Sequence, residues 1–336
     1  MNVSLAQKLI AWSKSNYSDL PWRQNRTLYK TLVSEIMLQQ TTVSTVKPRF
    51  LAFIEQFPNL SKLAQAQGAE VLKAWEGLGY YSRARRLHHA ANVINKMSTF
   101  PESYDDLIKI KGIGEYTGNA ILAIGMNKKA LAFDANIERV LARYFGIYEK
   151  KGICSKHLSK KFADGEILDL KISFRDFNES LMDLGRTYCK ANKTDCLLCP
   201  LSQSCKSLID KKVLLTPEKI IKTKVLKEEL KILRVLYKRS GKYLFFKRPK
   251  GKWLQDQLEL PSFIIGNSKL KQYPGLKKFN IEKLPLLESS ITKYKIKNYI
   301  INLNSIKLDP KKSIWIKSED FKKYHLSSVT KKILNL

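Results

Sequence analysis

Cys189, Cys196, Cys199 and Cys205 lie in one 17-residue window, CKANKTDCLLCPLSQSC, with the spacing C-x6-C-x2-C-x5-C. Four thiolates this close in the chain can wrap one tetrahedral ion or one cubane cluster. Zinc sites usually pair two short CxxC knuckles, and here only one CxxC occurs. The spacing therefore favours a [4Fe–4S] cluster over structural zinc. Cys154 stands apart and reads as a small hydrophobe.

A second constellation is LIKIKGIGEYTGNAILAIG, where Gly112, Ile113 and Gly114 join two helical segments. Glycine allows positive φ and close backbone approach. N–H groups of such a turn, with the helix N-terminus after it, suit a DNA phosphate. The full pattern L-x-x-I-x-G-I-G-x-x-T-x-x-A is that of a helix-hairpin-helix DNA-binding motif, expected over 107–125. Beyond it, Asp134 opens the amphipathic run AFDANIERVLARYFG and reads as an N-cap, a role compatible with catalysis.

The elements that must hold these residues change character along the chain. Before residue 210 the apolar residues recur three and four apart in SLAQKLIAW, TLVSEIMLQQTTVSTVKPRFLAFIEQF, GAEVLKAWEGL, SRARRLHHAANVINKM and GNAILAIGM, which predicts helices. A charged linker is expected over 211–224. After it KILRVLYKRS, GKYLFFKRP, KIKNYIINLN and KSIWIK read as strands, SGK as a hairpin turn, and LSSVTKKILNL as a closing helix. The expected architecture is multidomain: an all-α domain over 1–210 with the cysteine loop at 189–205, then a smaller α+β domain over 225–336.

Composition narrows the class. The chain has 336 residues, 44% hydrophobic and 10% aromatic, enough to form cores. Lys and Arg number 61 against 30 acidic residues, a net charge of +31 that favours a polyanionic partner. Residues 211–336 carry 31 of those basic residues and only 10 acidic ones. No stretch approaches a membrane span, and the start lacks the apolar block of a signal peptide. The expectation is a cytoplasmic, nucleoid-associated monomer with reduced thiols.

Several segments together resemble the adenine DNA glycosylases of the MutY type, within the endonuclease III superfamily. They are LPWR (Leu20–Arg23), SEIMLQQT (Ser34–Thr41), WEGLGYYSRAR (Trp75–Arg85), KGIGEYTG, FDANIERVLAR, FNESLMDLG (Phe177–Gly185) and the four-cysteine loop. They occur in family order over roughly residues 5–206. KRPKGKWLQDQLELPSF resembles, more loosely, the family's Nudix-like C-terminal domain. The resemblance implies hydrolysis of the N-glycosidic bond of adenine mispaired with 8-oxoguanine or guanine in duplex DNA, in base excision repair, with a [4Fe–4S] cofactor on the four cysteines.

It also assigns roles. An N-glycoside leaves through an oxocarbenium-like transition state, which needs a proton donor at the base and negative charge at the sugar. Glu35, in an apolar run, is expected to be a general acid with a raised pKa. Asp134 is expected to stay ionised and stabilise or briefly bond the sugar cation, with Asn136 in support. Tyr116 occupies the hairpin position where the strand-cleaving branch has a Schiff-base lysine, which implies a monofunctional enzyme; Lys111 sits at another offset. Trp22, Arg23, Leu38, Tyr116 and Glu179 are expected to line a pocket for the extruded adenine. Gln40 and Tyr80 are expected to wedge the duplex, and Arg83, Arg85 and Arg86 to reach phosphates.

Three departures stand out. Ala135 replaces the family's usual Gly. The Nudix catalytic signature is missing, so no pyrophosphatase activity is expected. The lesion-reading Phe-Ser-His loop aligns with Ile291, Thr292 and Lys293, of which Thr292 keeps a hydroxyl. Two alternatives are a pyrimidine-lesion glycosylase/lyase and a non-catalytic iron–sulfur DNA-binding protein. Tyr116 opposes the first and the retained carboxylates oppose the second.

Overall fold

Helices fill the first unit, Met1–Ile221. They are α1 (Val3–Tyr17), α2 (Leu28–Leu38), α3 (Val43–Gln56), α4 (Leu60–Gln65), α5 (Gly68–Ala74), α6 (Ser82–Ile94), α7 (Tyr104–Lys109), α8 (Glu115–Ala120), α9 (Ala135–Phe145), α10 (Ile153–Ala163), α11 (Phe174–Thr187) and α12 (Lys206–Ile209). This computed structural model describes residues 1, 3–150, 153–165, 172–218, 228–266, 269–303 and 313–335. Of the expected linker, 219–224 lie outside the described residues.

The periodic run from Thr31 to Phe57 is two helices, broken at Gln39–Thr42. Gln40 takes φ +57° there. Thr42 bonds Ser44 and Thr45 through its hydroxyl. β-Branched, hydroxyl-bearing residues satisfy themselves locally at little loss, so a helix breaks easily at them.

Two apolar clusters organise this unit. One gathers Leu32, Ile36, Phe53, Trp75, Leu87 and Ile121 beneath α2, α3, α6 and α8. The other gathers Leu9, Ile137, Leu141, Phe177 and Leu181 between α1, α9 and α11. α8 continues as a π-turn, Ile121–Gly125, which packs on both α2 and α11. Functional side chains thus come from both clusters and meet at their seam.

The second unit, Lys222–Leu336, is α+β. Its strands are β1 (Glu228–Arg239), β2 (Lys242–Lys247), β3 (Leu258–Glu259), β4 (Ser262–Ile265), β5 (Gly275–Leu276), β6 (Leu286–Ile291), β7 (Tyr294–Leu303) and β8 (Ser313–Lys317), closed by α13 (Ser328–Ile333). β1 runs parallel to β7, with Ile232 opposite Asn298, and antiparallel to β4 and β2. β6 pairs with β7, and β2 also pairs with β3 and β8. Ser240 and Gly241 both have positive φ, as a tight β1–β2 hairpin of the predicted kind requires. Ser327 caps α13 by accepting the Thr330 N–H.

Candidate active site

Glu35 sits in the last turn of α2, where its neighbours Ile36 and Met37 face the core and only 3% of it remains exposed. Tyr116, in the first turn of α8, donates its hydroxyl to Glu35 Oε2 at 2.5 Å. Burial pushes the Glu35 carboxyl up to about 7; the Tyr116 bond opposes this, and the nearby Glu179 and Asp134 charges add to it. Burial and the Glu35 charge likewise hold the Tyr116 hydroxyl well above its ordinary value, so it stays protonated and donates.

Asp134 is the N-cap of α9 and accepts the Asn136 and Ile137 N–H groups at 2.9 and 2.7 Å. The Asn136 side chain donates to its other oxygen at 2.7 Å. Burial raises the Asp134 pKa, and these three donors work against the rise. Asn136 is fixed in turn by Arg139, which bonds Asn136 Oδ1 and the carbonyls of Gly185 and Cys189 at 2.8 Å. A Cβ at Gly185 would fall 2.4 Å from that of Asn136, so only glycine lets α11 approach α9 here.

Arg23 and Glu179 meet as an ion pair at 3.3 Å. Arg23 also bonds Asp183 at 2.9 Å, and Arg26 bonds Glu179 at 2.9 Å. Asp183, 1% exposed, further accepts from Ser13 and Arg186. Arg26, Asp183 and Ser13 were not singled out from the sequence. Asp183 and Glu179 lie i,i+4 on α11, which was the available signal for a shared face. Leu38, half-buried, ends α2.

Two expected residues turn inward, and for Arg83 this corrects the expectation of a phosphate contact. Trp22 is 4% exposed and packs edge-on against Phe50, with centroids 5.7 Å apart. It belongs to the core because its indole fills the space above α3. Arg83 is 5% exposed and turns inward, whereas Arg86 is exposed. Gln40 and Tyr80 both remain exposed with positive φ, +57° and +42°. In the hairpin Gly112 takes φ +114° and a Cβ there would lie 2.7 Å from the Arg86 carbonyl, whereas Gly114 is extended and has open space. Thr292 lies exposed in the β6–β7 turn with φ +52° and bonds the Ile291 carbonyl.

Residues 33–164 match the HhH-GPD superfamily of base excision DNA repair proteins. The adenine DNA glycosylase of Buchnera aphidicola subsp. Baizongia pistaciae is 35% identical over 309 residues, 88% of this chain and 86% of its own. The enzyme of that name from Mycolicibacterium smegmatis is 38% identical over 207 residues, 60% of this chain and 69% of its own. The chain belongs to the adenine DNA glycosylase family. Among solved structures, a thermostable thymine-DNA glycosylase matches with TM-score 0.53 and 27% identity, covering 62% of this chain and 96% of that one. An endonuclease III–DNA complex matches with TM-score 0.51 at 19% identity, over 62% of this chain and 95% of that one, a likeness of fold.

The cysteine loop of this family member is braced by α9. Arg143, 1% exposed, donates to Cys189 Sγ at 3.2 Å, to the Lys190 carbonyl at 2.8 Å and to the Thr216 carbonyl at 2.9 Å. All four loop cysteines are free and half-buried. Burial pushes the Cys199 thiol up to about 12, and the charges of Cys189, Cys205 and Cys196 add to this. Among the described residues no three His, Cys, Asp or Glu side chains converge as single-ion ligands. A cubane spreads its thiolates wider than one ion does, and an all-sulfur donor set with a guanidinium beside it suits an anionic cluster. No helix among the described residues is long and apolar enough to cross a membrane.

Proposed function

We propose that this chain hydrolyses the N-glycosidic bond of adenine mispaired with 8-oxoguanine or guanine in double-stranded DNA. The observation that carries the reading is the buried Glu35–Tyr116 pair, within reach of the Asp134 charge. It supplies an acid that holds its proton near neutral pH and a carboxylate cradled by three donors.

The roles follow from the atoms. Tyr116 occupies Oε2, which leaves Oε1 of Glu35 to carry the proton to a ring nitrogen of the leaving adenine. The C1′–N9 bond breaks with its electrons on the base. Asp134, whose donors fix it at the head of α9, stabilises or bonds the cationic sugar. Water then takes C1′, and the products are free adenine and an abasic strand. Tyr116 has no amine to form a Schiff base, so the strand stays intact. Arg23, Arg26 and Glu179 lie close enough to shape the pocket for the extruded base, with Leu38 at its apolar edge. Gln40 and Tyr80 wedge the duplex, and the N–H groups around Gly112 and Gly114 meet a phosphate.

Cys189, Cys196, Cys199 and Cys205 would hold a [4Fe–4S] cluster, which cross-links the 189–205 loop when bound. The loop then braces α9 through Arg143 and Arg139. The C-terminal unit is proposed as a Nudix-like reader of the opposing base, in which Thr292 offers a hydroxyl. The working state is a monomer on DNA.

The test is cleavage of duplexes carrying adenine opposite 8-oxoguanine, guanine, cytosine or thymine, with and without alkali. Breaks at adenine that need alkali and occur only opposite the two purines support the proposal. Breaks without alkali, accompanied by a borohydride-trapped adduct in high yield, would overturn it.

A further inference from the structure

The side chain of Arg83 has more neutral acceptors than any other cation described in the helical unit. Its Nη1 faces the carbonyls of Ile36 and Met37 at 3.0 and 2.9 Å and the carbonyl of Gln39 at 2.5 Å. Its Nη2 donates to Thr41 Oγ1 at 2.9 Å and to the Leu78 carbonyl at 2.8 Å. The guanidinium also lies 5.5 Å from the Trp75 ring and 5.8 Å from the Tyr80 ring. Four of the five acceptors are backbone carbonyls, and two of those are orphans of the last turn of α2. A cation at that negative helix end is stabilised, although burial pushes its pKa down.

These acceptors lie on the two turns that carry the exposed, positive-φ residues. Gln39 and Thr41 flank Gln40, and Leu78 precedes Tyr80 by two residues; the Arg83 N–H closes that second turn on the Tyr80 carbonyl at 2.8 Å. Each left-handed non-glycine residue costs on the order of 1 kcal/mol, which free turns would relieve by relaxing. Trp75 Nε1 bonds the Gly79 carbonyl at 3.1 Å, and Gln39 Nε2 bonds Thr117 in the hairpin helix at 3.1 Å. The turns are therefore tied to the core, to the hairpin and, through one fork, to each other.

We propose that Arg83 is a positioning residue that clamps the Gln40 and Tyr80 turns in one fixed spacing, so that both side chains enter the duplex together and the adenine is extruded. The inference rests on the wedge role proposed above for those two residues. A planar fork with fixed donor directions meets carbonyls from two chain segments at once, which a lysine cannot reproduce. Arg83 touches neither base nor sugar.

The experiment uses the full chain and a duplex with 2-aminopurine at the target position, its sugar 2′-fluorinated to block hydrolysis. At saturating protein, fluorescence reads extrusion. Arg83→Met is expected to lose most of the signal, Arg83→Lys to recover only a minor part of it, and Thr41→Val, the milder variant, to lose a fraction. Single-turnover excision on the cleavable mispair should fall on the order of 100-fold in Arg83→Met, as for other small misplacements of working groups. Full extrusion with only a lowered melting temperature would make Arg83 a plain stabilising residue and overturn the proposal. Gln40→Ala and Tyr80→Ala separate the two readings. If both keep the signal, the wedge role fails and the clamp with it. If both lose it while Arg83→Met and Thr41→Val keep it, the clamp alone fails.

Discussion

One buried carboxylate in each unit is held in the opposite way from the other. In the sheet unit Glu259 is 1% exposed and contacts Arg234 at 3.0 Å, Arg248 at 3.2 Å, Tyr273 at 2.7 Å and Ser327 at 3.2 Å. Burial acts to lower the Arg234 pKa, and Glu259 and Tyr273 outweigh it, so the guanidinium is held charged. In the helical unit Glu35 is also deeply placed, yet its closest partner is a neutral phenol, and two further carboxylates press on it and outweigh the opposing charge of Arg26. One network is closed and holds a fold together. The other is left incomplete, so that a proton stays available where it costs stability.

The sharpest way to break this comparison is Glu35→Gln. Loss of the acid should lower single-turnover excision on the order of 10³-fold. Stability should move the other way at high pH. The folded carboxyl titrates near 7 and its ordinary value is 4.5, so the folded chain holds the extra proton between them. The stability this gives is complete below 4.5 and is lost as pH rises through 7. Glutamine has no proton to lose, so the variant should gain up to about 3 kcal/mol over wild type at pH 8 and little at pH 4. Melting curves at both pH values check the sign; a wild type more stable at pH 8 would sink the argument.

Glu259→Gln should do the reverse. Two buried guanidinium groups lose their countercharge, a cost of about 3 kcal/mol to the sheet unit. Urea unfolding should show it, while the chemical step on bound DNA falls far less than in Glu35→Gln. An unchanged unfolding midpoint would mean that the network contributes no net stability. Tyr116→Phe is next. It removes the one bond that favours the ionised acid, so the alkaline limb of the pH–rate profile should move upward from near 7. The rate should fall about tenfold, the scale of a lost hydrogen bond to a charged group. A limb that moves downward would contradict the assignment of Oε2 to Tyr116.

How much of this was legible follows from what each feature depends on. The strands β1, β2, β7 and β8 show in the sequence because β-branched and aromatic residues cluster between turn formers. β3 and β5 are two residues each and carry no periodic signal. Asp134 was legible as a cap because capping is local. The Glu259 network was not, since its partners at 234, 248, 273 and 327 meet only through sheet register. Arg83 shows the same limit: an arginine in a basic helix looks solvent-facing, and its inward turn depends on carbonyls over forty residues away.

The smallest effect tests how far the closed pattern extends toward the incomplete one. Asp134 has three donors, and two are N–H groups of the first turn of α9 that no side-chain change removes. Asn136→Ala deletes only the third and frees Arg139 from Asn136 Oδ1. The backbone cradle should hold Asp134 in place, so excision should fall only about fivefold, on the order of 1 kcal/mol. The Asn136 bond favours the ionised form, so its loss should raise the Asp134 pKa further and move the acid limb of the pH–rate profile upward. A fall as large as that of Glu35→Gln would show that Asn136 does more than steady a cap. An unshifted acid limb would mean that the titration of Asp134 does not govern the rate.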